Sequence, residues 1–181
     1  MDTACLCHCA WRDSNRLVNS LQLLDVVDLQ LIEDQPQGYQ TENVRFIEKS
    51  IKITGRYNKN QLPDLCDNRN RIFCNHHKAI LHDETATLDH SLMLVATNAF
   101  VVNHKQYEDQ PGKQQVRLAF AYRGYVYDFP VTDPAFIENY RKDTKFLDHT
   151  SELYLCVSLG IAWENWHYKL VAGVIACDEP H

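Results

Sequence analysis

Glycine is scarce: six residues in 181, each standing alone. That leaves no Gly-rich loop of the kind that cradles phosphates. Long apolar runs are missing too. The longest, residues 92–102 and 170–177, fall short of the roughly 20 residues needed to cross a bilayer, so no membrane association is expected. Positive charge is in deficit, with 18 Lys+Arg against 24 Asp+Glu and a net charge of -6. Such a chain has no global field for coating nucleic acid regardless of sequence, and only a local basic groove could hold phosphates. The start, Met1 to Cys9, opens with an acid and has neither the basic nor the apolar region of a secretory signal, so the expected location is cytoplasmic. Seven cysteines, an odd number, then read as reduced thiols and not as a disulfide framework.

What is present is globular: 45% hydrophobic and 23% charged residues, in a length that suits one ordinary domain or two small ones. The periodicity is mostly that of strands. Leu21, Leu23, Val27, Leu29 and Leu31 share one parity, which predicts a half-buried strand that Pro36 and Gly38 stop. Residues 46–54 predict a second strand closed by Gly55. Residues 56–90 are weakly patterned and read as loop with a short helix or turn. Ser91–Thr97 is apolar on both parities and predicts a strand buried from two sides.

The clearest unit is Val116–Val131, where two alternating runs flank Arg123-Gly124 and predict a β-hairpin. Asp133 then caps a helix opened by Pro134, running through Phe136, Ile137 and Tyr140 to Arg141-Lys142; this cap is worth about 1 kcal/mol. Glu152–Leu159 predicts a strand broken by Gly160, and Tyr168–Cys177 a final strand with a bulge at Gly173. The fold class is therefore all-β with one or two short helices. Its architecture is two small Greek-key barrels packed together, residues 1–90 and 91–181.

No catalytic apparatus stands out, and the protein is not expected to be an enzyme. Ser158 lies in Val157-Ser-Leu-Gly160, which lacks the Gly-x-Ser-x-Gly elbow. Asp128 and Asp133 could pair as carboxylates, but Asp133 already has a duty as a cap. Cys5, Cys7 and Cys9 alternate, which in a strand sets them too far apart for one tetrahedral zinc. Cys66, Cys74, His76, His77 and His82 offer a better ligand count, but their spacing fits no standard finger. No metal or cofactor is assigned.

Two clusters carry more than a fold requires. Gln40-Thr-Glu-Asn43, after Tyr39, is either a turn with solvated neighbours or a set of hydrogen-bonding groups aimed at a ligand. Trp163, Trp166, His167, Tyr168 and Lys169 are either an apolar cap or a stacking platform with a cation beside it.

Several segments then occur in order: Leu24-Asp-Val-Val-Asp28, Gln37-Gly-Tyr-Gln-Thr-Glu-Asn43, Ser91-Leu-Met-Leu-Val95, Tyr127-Asp-Phe-Pro-Val-Thr-Asp-Pro134, Tyr154-Leu-Cys-Val-Ser-Leu-Gly160 and Tyr168-Lys-Leu-Val-Ala172. Together they resemble the bacterial dual OB-containing domain family. The resemblance implies two OB-like barrels and a binding module for nucleic acid or a nucleotide. It also implies a place beside other proteins of a prokaryotic conflict or defence system. The pattern differs near the start, where only Ala10-Trp-Arg-Asp13 and Arg16 stand in for a longer basic stretch. Within this frame the ligand residues are Tyr39, Gln40, Thr41, Glu42, Asn43, Trp166, His167 and Lys169, expected on one concave surface at the seam between the barrels. The alternative function is a protein–protein adaptor that uses the barrel surfaces. A basic groove with exposed aromatics would favour the first, and an apolar patch rimmed by acids the second.

Overall fold

The computed structural model describes residues 3–5, 21–106 and 114–178. Cys7, Cys9 and the Ala10–Arg16 stretch lie outside the described residues. Ten strands and one α-helix follow in order: β1 (Thr3–Cys5), β2 (Asp25–Asp34), β3 (Val44–Arg56), β4 (Ala79–Leu81), β5 (Leu92–Thr97), β6 (Phe100–Gln106), β7 (Gln114–Tyr122), β8 (Tyr125–Pro130), α1 (Pro134–Lys142), β9 (Thr150–Trp163) and β10 (Trp166–Asp178). Two 3-10 segments, Lys59–Leu65 and His82–Thr87, lie in the weakly patterned region.

The first unit is a three-stranded antiparallel sheet in the order β1-β3-β2, bent by register shifts along β2. Its small core is Phe46 and Ile51, with Leu21, Val27 and Leu29 packed against them. The expected strand from Leu21 begins later, at Asp25. Leu24 takes a left-handed conformation (φ 74), and Gln22 and Asp25 close a turn ahead of the strand.

The second unit is an OB-like Greek-key arrangement of two curled sheets. β6-β7-β8 form one sheet and β4-β10-β9-β5 another. β5 passes into β6 at one corner, and at the other Val131 bridges Val171, where Thr132 N–H also donates to the Val171 carbonyl at 2.8 Å. Taking β5–β6 as the first strand, the strands run 1-2-3-5-4 around the barrel, with α1 between the third and fourth. This is the five-stranded OB arrangement that the resemblance implies. The hairpin turn forms as predicted, with Arg123 (φ 49) and Gly124 (φ 81) both left-handed, as a two-residue turn matched to strand twist requires. Phe120 and Tyr127 face inward, both 1% exposed.

Three local expectations change. β9 does not break at Gly160 but runs on to Trp163. A Cβ there would sit 3.3 Å from the Tyr168 carbonyl oxygen, so the glycine permits a close approach of β10. β5 is buried mainly on one side, since Met93, Val95 and Thr97 are buried while Leu92 is exposed. Residues 72–80 join the barrel's core: Ile72, Phe73 and Ile80 cluster with the barrel interior, as does Tyr39. The bulge at Gly173 is present, as a register shift between Val171 and Gly173. No helix among the described residues is long and apolar enough to cross a membrane.

Candidate functional site

The outer faces of the second barrel meet along an open groove of about 1200 Å³. Strand parity decides most of what lines it, and the buried Tyr127 and Phe129 of β8 form its floor. On β10, Trp166 and Tyr168 point out, 40% and 38% exposed, while His167 and Lys169 point in. On β8 the outward residues are Val126 and Asp128, and on β7 Arg117, joined by Asn103 and Lys105 of β6. The loop before β4 contributes His76, His77 and Lys78. Lys78, Lys105 and Arg117 face only Glu84 and Asp128 among these lining groups, and Asp128 is taken by Arg117 (Nε–Oδ1 2.9 Å). Among the described residues the groove thus carries one more permanent positive charge than negative, in a chain that is acidic as a whole.

Aromatic faces stand beside those charges. Tyr125 stacks on His76 with centroids 3.5 Å apart and planes 19° from parallel. His76 Nδ1 lies 3.0 Å from the Tyr127 hydroxyl. Desolvation, with help from the nearby Arg71 and Lys169 cations, holds the His76 pKa below its ordinary value and favours the neutral ring. At the β9–β10 turn, Trp163 is paired across from Trp166, so Trp163, Trp166 and Tyr168 extend the groove's aromatic surface toward the turn.

The residues expected to hold a ligand are placed in two ways. Trp166 lines the groove. Tyr39 and His167 do come together, Tyr39 Oη lying 2.8 Å from His167 Nδ1, but both are buried, and the tyrosine hydroxyl donates to the Gly160 carbonyl at 3.1 Å. His167 Nε2 continues to His82 Nδ1 at 3.0 Å. Glu42 Oε1 accepts from Ser91 N–H at 2.9 Å and from the Ser91 hydroxyl. Thr41 Oγ1 donates to the Asp89 carbonyl. Asn43 is buried, and its carbonyl accepts from Gln35 N–H at 2.8 Å. Gln40 forms a backbone bridge with Gln37. This turn therefore stitches the first sheet to residues 89–91 and to the β9–β10 hairpin.

Lys169 is fully buried, and its ammonium donates to Ile72 O (2.8 Å), Asn75 O (2.7 Å) and Asn75 Oδ1 (2.9 Å). It clamps the segment leading to His76 from below, so it positions the groove wall and takes no part in its surface. Burial pushes its pKa down to about 8.

The alternative chemistries find other arrangements. Among the described residues no three His, Cys, Asp or Glu side chains are grouped to hold a metal ion. Burial pushes the Cys66 and Cys74 thiols up, away from the reactive thiolate. Ser158 is buried on β9 opposite Leu92 and Leu170.

A family model for a dual OB-containing domain matches residues 10–174. The chain belongs to the dual OB-containing domain family. Searches of curated proteins and of solved structures each found no match. In an OB barrel the face of strands two and three, with the loops joining strands one–two and four–five, is where ligands lie. In this dual OB protein those strands are β7 and β8, and the four–five loop is the β9–β10 turn flanked by Trp163 and Trp166. The groove occupies that face.

Proposed function

We propose that the protein is a non-catalytic module that binds single-stranded nucleic acid or a nucleotide in the groove over β7 and β8. The observation that carries this reading is the placing of exposed rings and cations together on the OB ligand face. Single strands need ring faces for their bases and cations for their phosphates, and Trp166 and Tyr168 stand beside Lys78, Lys105 and Arg117. An acidic chain with locally basic surfaces binds selectively there rather than coating a duplex. The non-catalytic part is supported by the raised pKa values of the Cys66 and Cys74 thiols, the packed Ser158 and the capping duty of Asp133. Seven cysteines read as reduced thiols fit a cytoplasmic setting, and the family resemblance adds a role in a prokaryotic conflict or defence system.

The test is titration of decathymidylate, decauridylate and ATP against wild type and a Trp166→Ala/Tyr168→Ala variant at two salt concentrations. Salt-sensitive binding that the variant loses supports the reading. Equal, negligible binding by both rejects it.

A protein–protein adaptor is the second reading. It is favoured by Leu31, Ile32 and Ile53, which are exposed on the paired strands β2 and β3. Rejection of the first reading would leave this apolar face as the surface to probe.

A further inference from the structure

The loop Asn68-Arg-Asn-Arg71 takes no part in the groove. It faces the β7–β8 turn across a basin of about 960 Å³, into which Arg69, Arg71 and Arg123 converge, with Tyr125 as one wall. The backbone here is held firmly. Tyr122 Oη donates to the carbonyls of Asp67 (3.1 Å) and Arg69 (2.7 Å). Asp67 exchanges two bonds with Leu94 of β5, Leu94 N–H to Oδ2 and Asp67 N–H to the Leu94 carbonyl, both 2.8 Å. Arg123 sits at the first left-handed position of the hairpin turn, and its guanidinium donates to Asn68 Oδ1. The two arms of the basin are thus joined to each other and to the barrel.

The charges are not balanced. Arg69 pairs with Asp89 at 3.3 Å and with Asp67 at 4.0 Å, and Asp89 is shared with His90 at 2.6 Å. Neither Arg71 nor Arg123 has a carboxylate within ion-pair distance among the described residues. In a chain of net charge -6, two uncompensated guanidiniums beside a third repel one another, and a bound anion removes that repulsion. The planar guanidinium fork matches phosphate oxygens in pairs. Tyr125 faces the basin and stacks on His76, which lines the groove, so one ring pair separates a base-stacking surface from a basic one.

We infer that Arg69, Arg71 and Arg123 form a phosphate-binding subsite, seating a phosphate of the nucleotide whose base stacks at Tyr125. The inference rests on the nucleic-acid reading of the groove and adds where the strand's charge is held and which residues hold it. The shared chemistry is a phosphate ester, either the terminal monoester or a diester within the strand.

The test compares wild type with Arg71→Ala/Arg123→Ala and with Arg71→Lys/Arg123→Lys. The probes are hexathymidylate with a 5′-phosphate, hexathymidylate with a 5′-hydroxyl, and the hexamer with a neutral methylphosphonate backbone. Both side chains are exposed, so melting temperatures should be unchanged, and the lysine pair keeps the charge if the alanine pair unfolds. The expected result is roughly tenfold weaker binding of the charged hexamers by the alanine pair. Its log–log salt slope should fall by about 0.7, the value for one phosphate contact on a single strand. The lysine pair should lie between, and the methylphosphonate hexamer should bind all three proteins alike. If only the 5′-phosphorylated hexamer loses affinity, the site takes the terminal monoester; if both charged hexamers do, it takes a diester. Wild-type affinity and slope in the alanine pair overturn the subsite while leaving the groove reading in place. No binding of any hexamer by wild type overturns both.

Discussion

Tyr125 lies face to face on His76, 3.5 Å between centroids, at the junction of a hairpin strand and a loop some fifty residues earlier in the chain. The contact fixes a ring surface on the wall of the basin of Arg69, Arg71 and Arg123, beside the groove, without closing it, because Tyr125 remains 45% exposed. Base–aromatic stacking contributes about 1–3 kcal/mol per base. Tyr125→Ala should therefore weaken binding of an oligothymidylate by roughly five- to a hundredfold, and Tyr125→Phe should retain it, as fluorescence titration would read. Equal losses in both variants would mean that the hydroxyl, not the ring face, makes the contact.

Asp133 does more than the capping role visible in the sequence. Oδ1 accepts from Ala135 N–H (3.0 Å) and Phe136 N–H (3.1 Å), and Oδ2 accepts from Val174 N–H of β10 (3.0 Å). Asp133→Ala removes the cap, about 1 kcal/mol, and strips a partner from a strand N–H, about 1–3 kcal/mol more. Denaturant unfolding should show a loss of about 2–4 kcal/mol, with oligonucleotide affinity at the refolded baseline unchanged. A loss below 0.5 kcal/mol would contradict the double role.

Lys169 gives the fold a pH dependence of defined sign. Burial lowers its pKa from 10.5 to about 8, so between those values the unfolded chain keeps a proton that the folded chain has released. Stability then rises with pH across that window, by up to about 1.4 kcal/mol per pH unit. Below pH 8 both states are protonated and the contribution is flat. The check is denaturant unfolding of wild type and Lys169→Met from pH 7 to 10. The wild type should gain relative to the variant as pH rises, and a relative loss would reverse the assignment.

Tyr39 separates scaffold from site. Its hydroxyl joins the Gly160 carbonyl and His167 beneath the β9–β10 hairpin. Tyr39→Phe should cost about 0.5–1.5 kcal/mol, the net worth of a hydrogen bond, because the Gly160 carbonyl keeps His167 Nδ1 at 2.8 Å, yet leave oligonucleotide affinity unchanged. A weakened affinity at unchanged stability would return Tyr39 to the ligand surface.

The hairpin at Arg123-Gly124 and the helix behind Asp133-Pro134 were legible because turn and cap chemistry is local. Gly160 was misread as a stop for the opposite reason: its role is set by the Tyr168 carbonyl across the sheet, a partner no window around Gly160 contains. The groove was only partly legible. Trp166 stands in an aromatic cluster that draws attention, but Lys78, Lys105, Arg117 and Val126 come from four separate segments and look individually like ordinary surface residues. One local signal was available: strand alternation puts Trp166 and Tyr168 on one face and His167 and Lys169 on the other. The polar residues Thr41, Glu42 and Asn43 carry hydrogen-bonding capacity that the fold itself uses, which sequence alone does not distinguish from capacity aimed at a ligand.

The central claim is that the outer face of β7 and β8, with the start of β10, is the ligand surface. The direct measurement is backbone amide chemical-shift mapping of the isotopically labelled protein during titration with octathymidylate at low salt. The account predicts the largest shifts at Asn103–Lys105, Arg117, Val126–Asp128 and Trp166–Tyr168, fading as salt is added. Shifts confined to β2, β3 and the Tyr39–Asn43 turn, or no shifts at saturating oligonucleotide, would contradict it.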